Sequence, residues 1–141
     1  MPFFDTNVLS ELMRPIPSAA IASWVGAERS TSSLNLTAVS EAELRYGLAI
    51  MRPGRRRDGL AQGLERMLRT GFANRSLPFD SAAASAYAEI AAARRAMGQQ
   101  MPEAECQIAA IARSRDMAVV TRNMRDFADA GIDVIDPWND A

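Results

Sequence analysis

The 141-residue sequence predicts an α/β fold, a three-layer α/β/α arrangement with a central, mainly parallel sheet of about five short strands. Two observations carry this expectation. Short apolar runs that break off into polar or acidic residues alternate with longer stretches whose apolar residues recur at helical spacing. The hydrophobic residues, 48% of the total, run through the whole length and the seven prolines are dispersed, as expected for one domain over residues 1–141.

The first run, Phe3-Phe4, fits a strand buried on both faces and stops at Asp5. An acid at the carboxyl end of such a strand stands where open α/β sheets present their ligand sites; the alternative is that Asp5 only caps the helix behind it. Residues 6–13 read as that helix, ending before Pro15, and 18–27 as a second one with Ile21, Trp24 and Val25 at helical spacing. A strand over 32–37 leads into a stronger helix over 39–51. Counting from Val39 puts Ala42, Glu43, Tyr46 and Ile50 on one apolar stripe, with Glu41 and Arg45 paired elsewhere at i, i+4. Glu43 is therefore expected to point inward, where a carboxylate needs a cation, a metal or several donors; a buried arginine would serve as well as a site.

Gly54 and the arginines 55–57 open a helix to about residue 70, buried through Leu60, Leu64, Met67 and Leu68. The arginine run suits either a phosphate-facing patch or a solvated helix end. Residues 75–80 form a third strand, and Asp80 caps an alanine-rich helix over 81–97, with Ala84, Tyr87, Ile90, Ala91 and Met97 toward the core and Gly98 as its stop. Pro102 starts the next helix. Glu103 lies on its polar line, whereas Glu105 projects with Ile108, Ala109 and Ala112, and Cys106 beside it reads as a packing residue. A fourth strand over 116–121 breaks into Arg122-Asn123-Met124-Arg125-Asp126, repeating the strand-end acid of the N-terminus. A last strand follows in 132–138, with little functional signal in its ending.

Two absences narrow the chemistry. There is no histidine, which removes Ser-His-Asp and Cys-His nucleophile systems and His-ligated zinc. All sixteen basic residues are arginine, which removes the P-loop and Schiff-base lysines. One cysteine allows no internal disulfide. No 18-residue apolar run or signal-peptide pattern is present, so a cytoplasmic location without membrane contact is expected. The net charge of −1 argues against nonspecific coating of nucleic acid while leaving room for a local basic patch.

Asp5 and Asp126 at strand ends, with Glu43 and Glu105 on inward helix faces, are thus expected to share one pocket. Four crowded carboxylates repel unless a divalent cation neutralises them, and hard oxygen donors suit Mg²⁺ or Mn²⁺. Such a site can activate water for in-line phosphodiester hydrolysis. An aspartate-nucleophile phosphatase starting at Asp5 is disfavoured, because Asn7 replaces the second aspartate and no lysine holds the phosphate.

Asp5-Thr6-Asn7, Glu43-Leu44-Arg45-Tyr46-Gly47, Gln107 to Ala112, Thr121 to Phe127 and Asp136-Pro137-Trp138 together resemble a PIN-domain ribonuclease toxin of the VapC and FitB type, from type II toxin–antitoxin systems. The resemblance spans nearly the whole chain. It implies a PIN-like fold, Mg²⁺- or Mn²⁺-dependent endoribonuclease activity on RNA, a homodimer, and inhibition by a cognate antitoxin that also binds operator DNA. Carried across, the acidic residues of the family fall on Asp5, Glu43, Glu105 and Asp126, with Thr6, Thr121 and Asn123 as supporting polar groups. Asp5, Glu43 and Glu105 would hold the metal, and Asp126 with Asn123 would orient water or a second ion. Arg14, Arg52, Arg55, Arg56, Arg122 and Arg125 are candidate RNA phosphate contacts.

One position departs from the pattern. The third acid is Glu105 where the family motif has aspartate, which moves the carboxylate by on the order of 1.5 Å. The alternative reading is therefore a non-catalytic, antitoxin-binding PIN-like module with a compromised metal site.

Overall fold

The computed structural model describes residues 3–4, 6–14, 18–23, 35–71, 76–136 and 138. In chain order these give β1 (Phe3–Phe4), α1 (Thr6–Leu12), α2 (described over 19–23), β2 (Leu36–Thr37) and α3 (Ala38–Ala49). Then come α4 (Arg55–Arg66) with a π-helical turn at Met67–Gly71, β3 (Ser76–Leu77), α5 (Ser81–Ala96) and α6 (Glu103–Ser114). The chain closes with β4 (Val119–Val120), a 3₁₀ turn at Met124–Phe127 and β5 (Val134–Ile135).

Every strand pairing is parallel, as helical crossovers require. β4 takes the centre of a three-stranded group, pairing Phe3 with Val119 on one side and Val119 with Val134 on the other. β2 and β3 form a separate pair, Leu36 with Ser76. The parallel direction matches expectation, whereas among the described residues the strands do not form one continuous five-stranded sheet. Each strand is described over two residues, and β1 lies beside β2 without being laddered to it among the described residues.

The layering follows from the alternation of side chains along β4. Val120, with Ile135 of β5, packs into a core containing Val8, Leu9, Ile21, Leu44 and Leu64, that is, against α1 to α4. Val119, with Val134, faces Ile90, Ile108, Ile111 and Phe127, against α5 and α6. Successive residues of one strand thus feed opposite cores, which makes the architecture α/β/α.

The helix ends follow local rules. Thr37, in extended backbone, accepts from Ser40 N at 3.0 Å to cap α3. Asp80 accepts from Ala83 N at 3.0 Å to cap α5, and Gly98, at φ +70°, releases the chain from its end.

Two apolar stripes differ from expectation. On α3 the buried residues are Ser40 and Leu44, while Tyr46 and Ile50 are two-thirds exposed. Starting the count at Ser40 instead of Val39 gives Ser40, Leu44 and Leu48, the face turned toward the core shared with α1 and α4. On α5 the buried line is Ala83, Ala86, Ile90 and Arg94, leaving Ala84 and Met97 exposed. Trp24 and Val25 lie outside the described residues.

Candidate functional site

The best-defined part of the site is the turn after β4. Thr121, fully buried, extends the ladder by donating its N–H to Ile135 O at 2.9 Å. Its hydroxyl then accepts from Asn123 N at 3.0 Å, which bends the chain out of the sheet. Asp126 N donates to Asn123 O at 3.1 Å to form the 3₁₀ turn, and buried Phe127 anchors it in the α5–α6 core. The result is an exposed Asn123 and a half-buried Asp126 just past the carboxyl end of a central strand. This is the strand-end acid the sequence suggested.

Glu43 and Glu105 are both half-buried on their helices. Glu105 lies in the first turn of α6, whose N-cap is Pro102, while Glu103 is exposed. Glu43 sits beside the buried Ser40–Leu44 line of α3 rather than on the stripe through Tyr46 and Ile50. Asp5 lies outside the described residues, as does the side chain of Thr6 at the start of α1.

The donor chemistry suits a hard divalent cation: carboxylate oxygens with no imidazole. Cys106 is no competitor, because burial pushes its thiol pKa up and keeps it protonated. The expected convergence is not reproduced by Glu43, Glu105 and Asp126 themselves. Among the described residues, no three acidic or cysteine side chains form a group that could hold a metal ion. The fourth expected member, Asp5, lies outside the described residues.

The arginines divide into separate groups. Arg14, Arg55 and Arg56 line one groove between α1 and α4 with a volume of about 570 Å³, although Arg14 stands more than forty residues before the other two in sequence. Arg14 also pairs with Glu11 at 3.3 Å. Arg122 stacks on Trp138, its guanidinium carbon 4.4 Å from the ring centroid, and Trp138 N donates to the buried Asp136 at 2.9 Å. The C-terminal motif thus holds an arginine beside the Thr121 turn, a role not apparent from its sequence. Arg52 and Arg125 are exposed.

Sequence reasoning also missed Arg94, buried in α5 and bonded to backbone carbonyls on both sides of the turn. The signal was present: Arg94 falls four residues after Ile90 on the buried line. Elsewhere, Glu41 and Arg45 pair as expected at 2.8 Å, and the Arg45 guanidinium holds the Glu41 carboxyl below its ordinary range.

Three layers with parallel strands ending in acidic and small polar residues define the class. The PIN domain model matches residues 3–132, and the chain belongs to the PIN-domain family, among the VapC- and FitB-like toxins of type II toxin–antitoxin systems. It is 43% identical over 138 residues to the plasmid stability protein StbB of Pseudomonas syringae pv. tomato, covering 98% of this chain and 99% of that one. It is 39% identical to the VapC ribonuclease Y4jK of Sinorhizobium fredii over the full length of both chains. Among solved structures, FitAcB from Neisseria gonorrhoeae superposes with a TM-score of 0.84 at 35% identity, covering 98% of this chain and 99% of that one.

Proposed function

We propose that this chain is the toxin of a type II toxin–antitoxin pair and a metal-dependent endoribonuclease that cleaves RNA phosphodiester bonds, with residues 1–141 forming one PIN domain. The observation that carries this reading is the full-length similarity to a VapC ribonuclease, together with the Thr121–Asn123–Asp126 turn at the carboxyl end of β4. Asp5, Glu43, Glu105 and Asp126 supply the acidic set for Mg²⁺ or Mn²⁺. A bound divalent cation contributes Lewis-acid activation of water and neutralisation of the charge that develops at phosphorus. Asn123 and Asp126 orient the attacking water, while Thr6 and Thr121 brace the acids. Arg14, Arg55 and Arg56 in their groove, Arg122 on Trp138, and exposed Arg52 and Arg125 offer phosphate contacts. The partners in this reading are a cognate antitoxin, a second copy of the chain, and operator DNA reached through the antitoxin, as the toxin–antitoxin family implies. No helix among the described residues is long and apolar enough to cross a membrane.

A second reading has an observation of its own. Glu43, Glu105 and Asp126 do not assemble into a metal-binding group among the described residues, and Glu105 replaces a shorter acid. This favours a module that binds the antitoxin without catalysis.

Calorimetry with Mn²⁺ and RNA cleavage by the antitoxin-free protein separate the two. The nuclease reading expects metal-dependent cleavage that Asp5→Asn and Glu105→Gln abolish and Glu105→Asp preserves or raises. Wild-type protein that neither binds Mn²⁺ nor cleaves RNA would establish the module instead.

A further inference from the structure

We infer that Arg94 is a positioning residue that fixes the spacing between the two segments bearing Glu105 and Asp126; this rests on the reading of those acids as metal ligands. Arg94 stands in the last turn of α5 and is only 7% exposed, whereas its neighbour Arg95 is exposed. Its Nε donates to Gln99 O at 2.6 Å, in the connection that leads to α6 and Glu105. Its Nη1 donates to Ala128 O at 2.6 Å and to Asp126 O at 3.3 Å, on the turn that carries the second acid.

A buried guanidinium is costly, and the usual remedy is a carboxylate partner. Here three main-chain carbonyls satisfy it, and they belong to the two segments whose separation the site depends on. The planar fork sets direction as well as distance, so one side chain holds both segments in a single geometry.

Lysine keeps the charge but presents a point donor without the fork, so Arg94→Lys retains the fold while loosening the spacing. The full-length, antitoxin-free protein is titrated with Mn²⁺ calorimetrically, and hydrogen exchange of residues 124–128 is followed in the bare protein. Arg94→Lys is expected to raise the Mn²⁺ dissociation constant roughly 10- to 100-fold, the scale seen when a group orienting a metal ligand is lost. It should speed amide exchange in the turn and lower kcat while leaving KM for RNA unchanged. Ile111→Val, a mild core change on the same helix pair, should leave Mn²⁺ affinity intact, which separates positioning from general loss of stability. Should Arg94→Lys unfold the chain, Mn²⁺ must still slow exchange at 99–102 and 124–128 together in the wild type. Asp126→Asn distinguishes the two levels of failure. If it loses Mn²⁺ while Arg94→Lys binds normally, the positioning role is refuted and the site stands; if Asp126→Asn itself binds normally, the site assignment falls and this inference with it.

Discussion

Gly63 of α4 lies against the Met13 backbone just past the end of α1, and Gly63→Ala tests that contact. A Cβ built on Gly63 would collide with the Met13 carbonyl oxygen and stand 3.2 Å from its carbon and 3.3 Å from its Cα. The partner is backbone, which cannot rotate away. Forcing a methyl into such a contact costs about 1–3 kcal/mol, with the rigid partner favouring the upper end. Alanine returns about 1 kcal/mol through its better helix propensity, so the net loss is about 1–2 kcal/mol. Gly59, one turn earlier in the same helix, is the internal control, because its Cβ would meet nothing within 4 Å. Gly59→Ala should stabilise by about 0.5–1 kcal/mol. Urea unfolding at constant m-value reads both, and the two midpoints should move in opposite directions. A Gly63→Ala variant as stable as the wild type would refute the close contact of α4 with the Met13 backbone.

Two further expectations follow from the titrating groups. Burial raises the Cys106 thiol pKa, so native protein should react slowly with alkylating reagents at pH 7–8 and quickly once denatured; rapid native labelling would show the thiol to be open. The Glu41 carboxyl is held below its ordinary 4.5 by the Arg45 hydrogen bond, so the folded state binds fewer protons there than the unfolded chain. Its contribution is complete above pH 4.5 and disappears as pH falls through the lower folded value, modest in size and weakened by salt because the pair is partly exposed. Glu41→Gln should flatten this part of the Tm-against-pH curve, and an unchanged acid limb would count against the pair.

Much of the local structure was legible because it obeys short-range rules. The Asp80 cap, the Gly98 stop, the Glu41–Arg45 pair and the break of β4 into Thr121–Asn123–Asp126 each depend on residues within five positions of one another. The inward face of α3 was misjudged, since two overlapping helical stripes compete there and only packing against α1 and α4 selects Leu44 over Tyr46 and Ile50. Arg94 was passed over for a related reason, although its place on the Ile90 line was legible. A cation in an alanine-rich helix looks solvated until the carbonyls of residues 99, 126 and 128 are brought around it.

By itself the sequence determined the chemistry open to this protein. Without histidine or lysine, carboxylates and arginines are its only strongly charged side chains, and the alternation of strand and helix places several acids at strand ends or helix faces. Tertiary structure decided which groups meet: Arg14 with Arg55 and Arg56 across one groove, Arg122 with Trp138, and Arg94 with the turn of Asp126. The physical reason is that periodicity specifies a face, while proximity between distant segments is set by how two cores pack on opposite sides of the central strands.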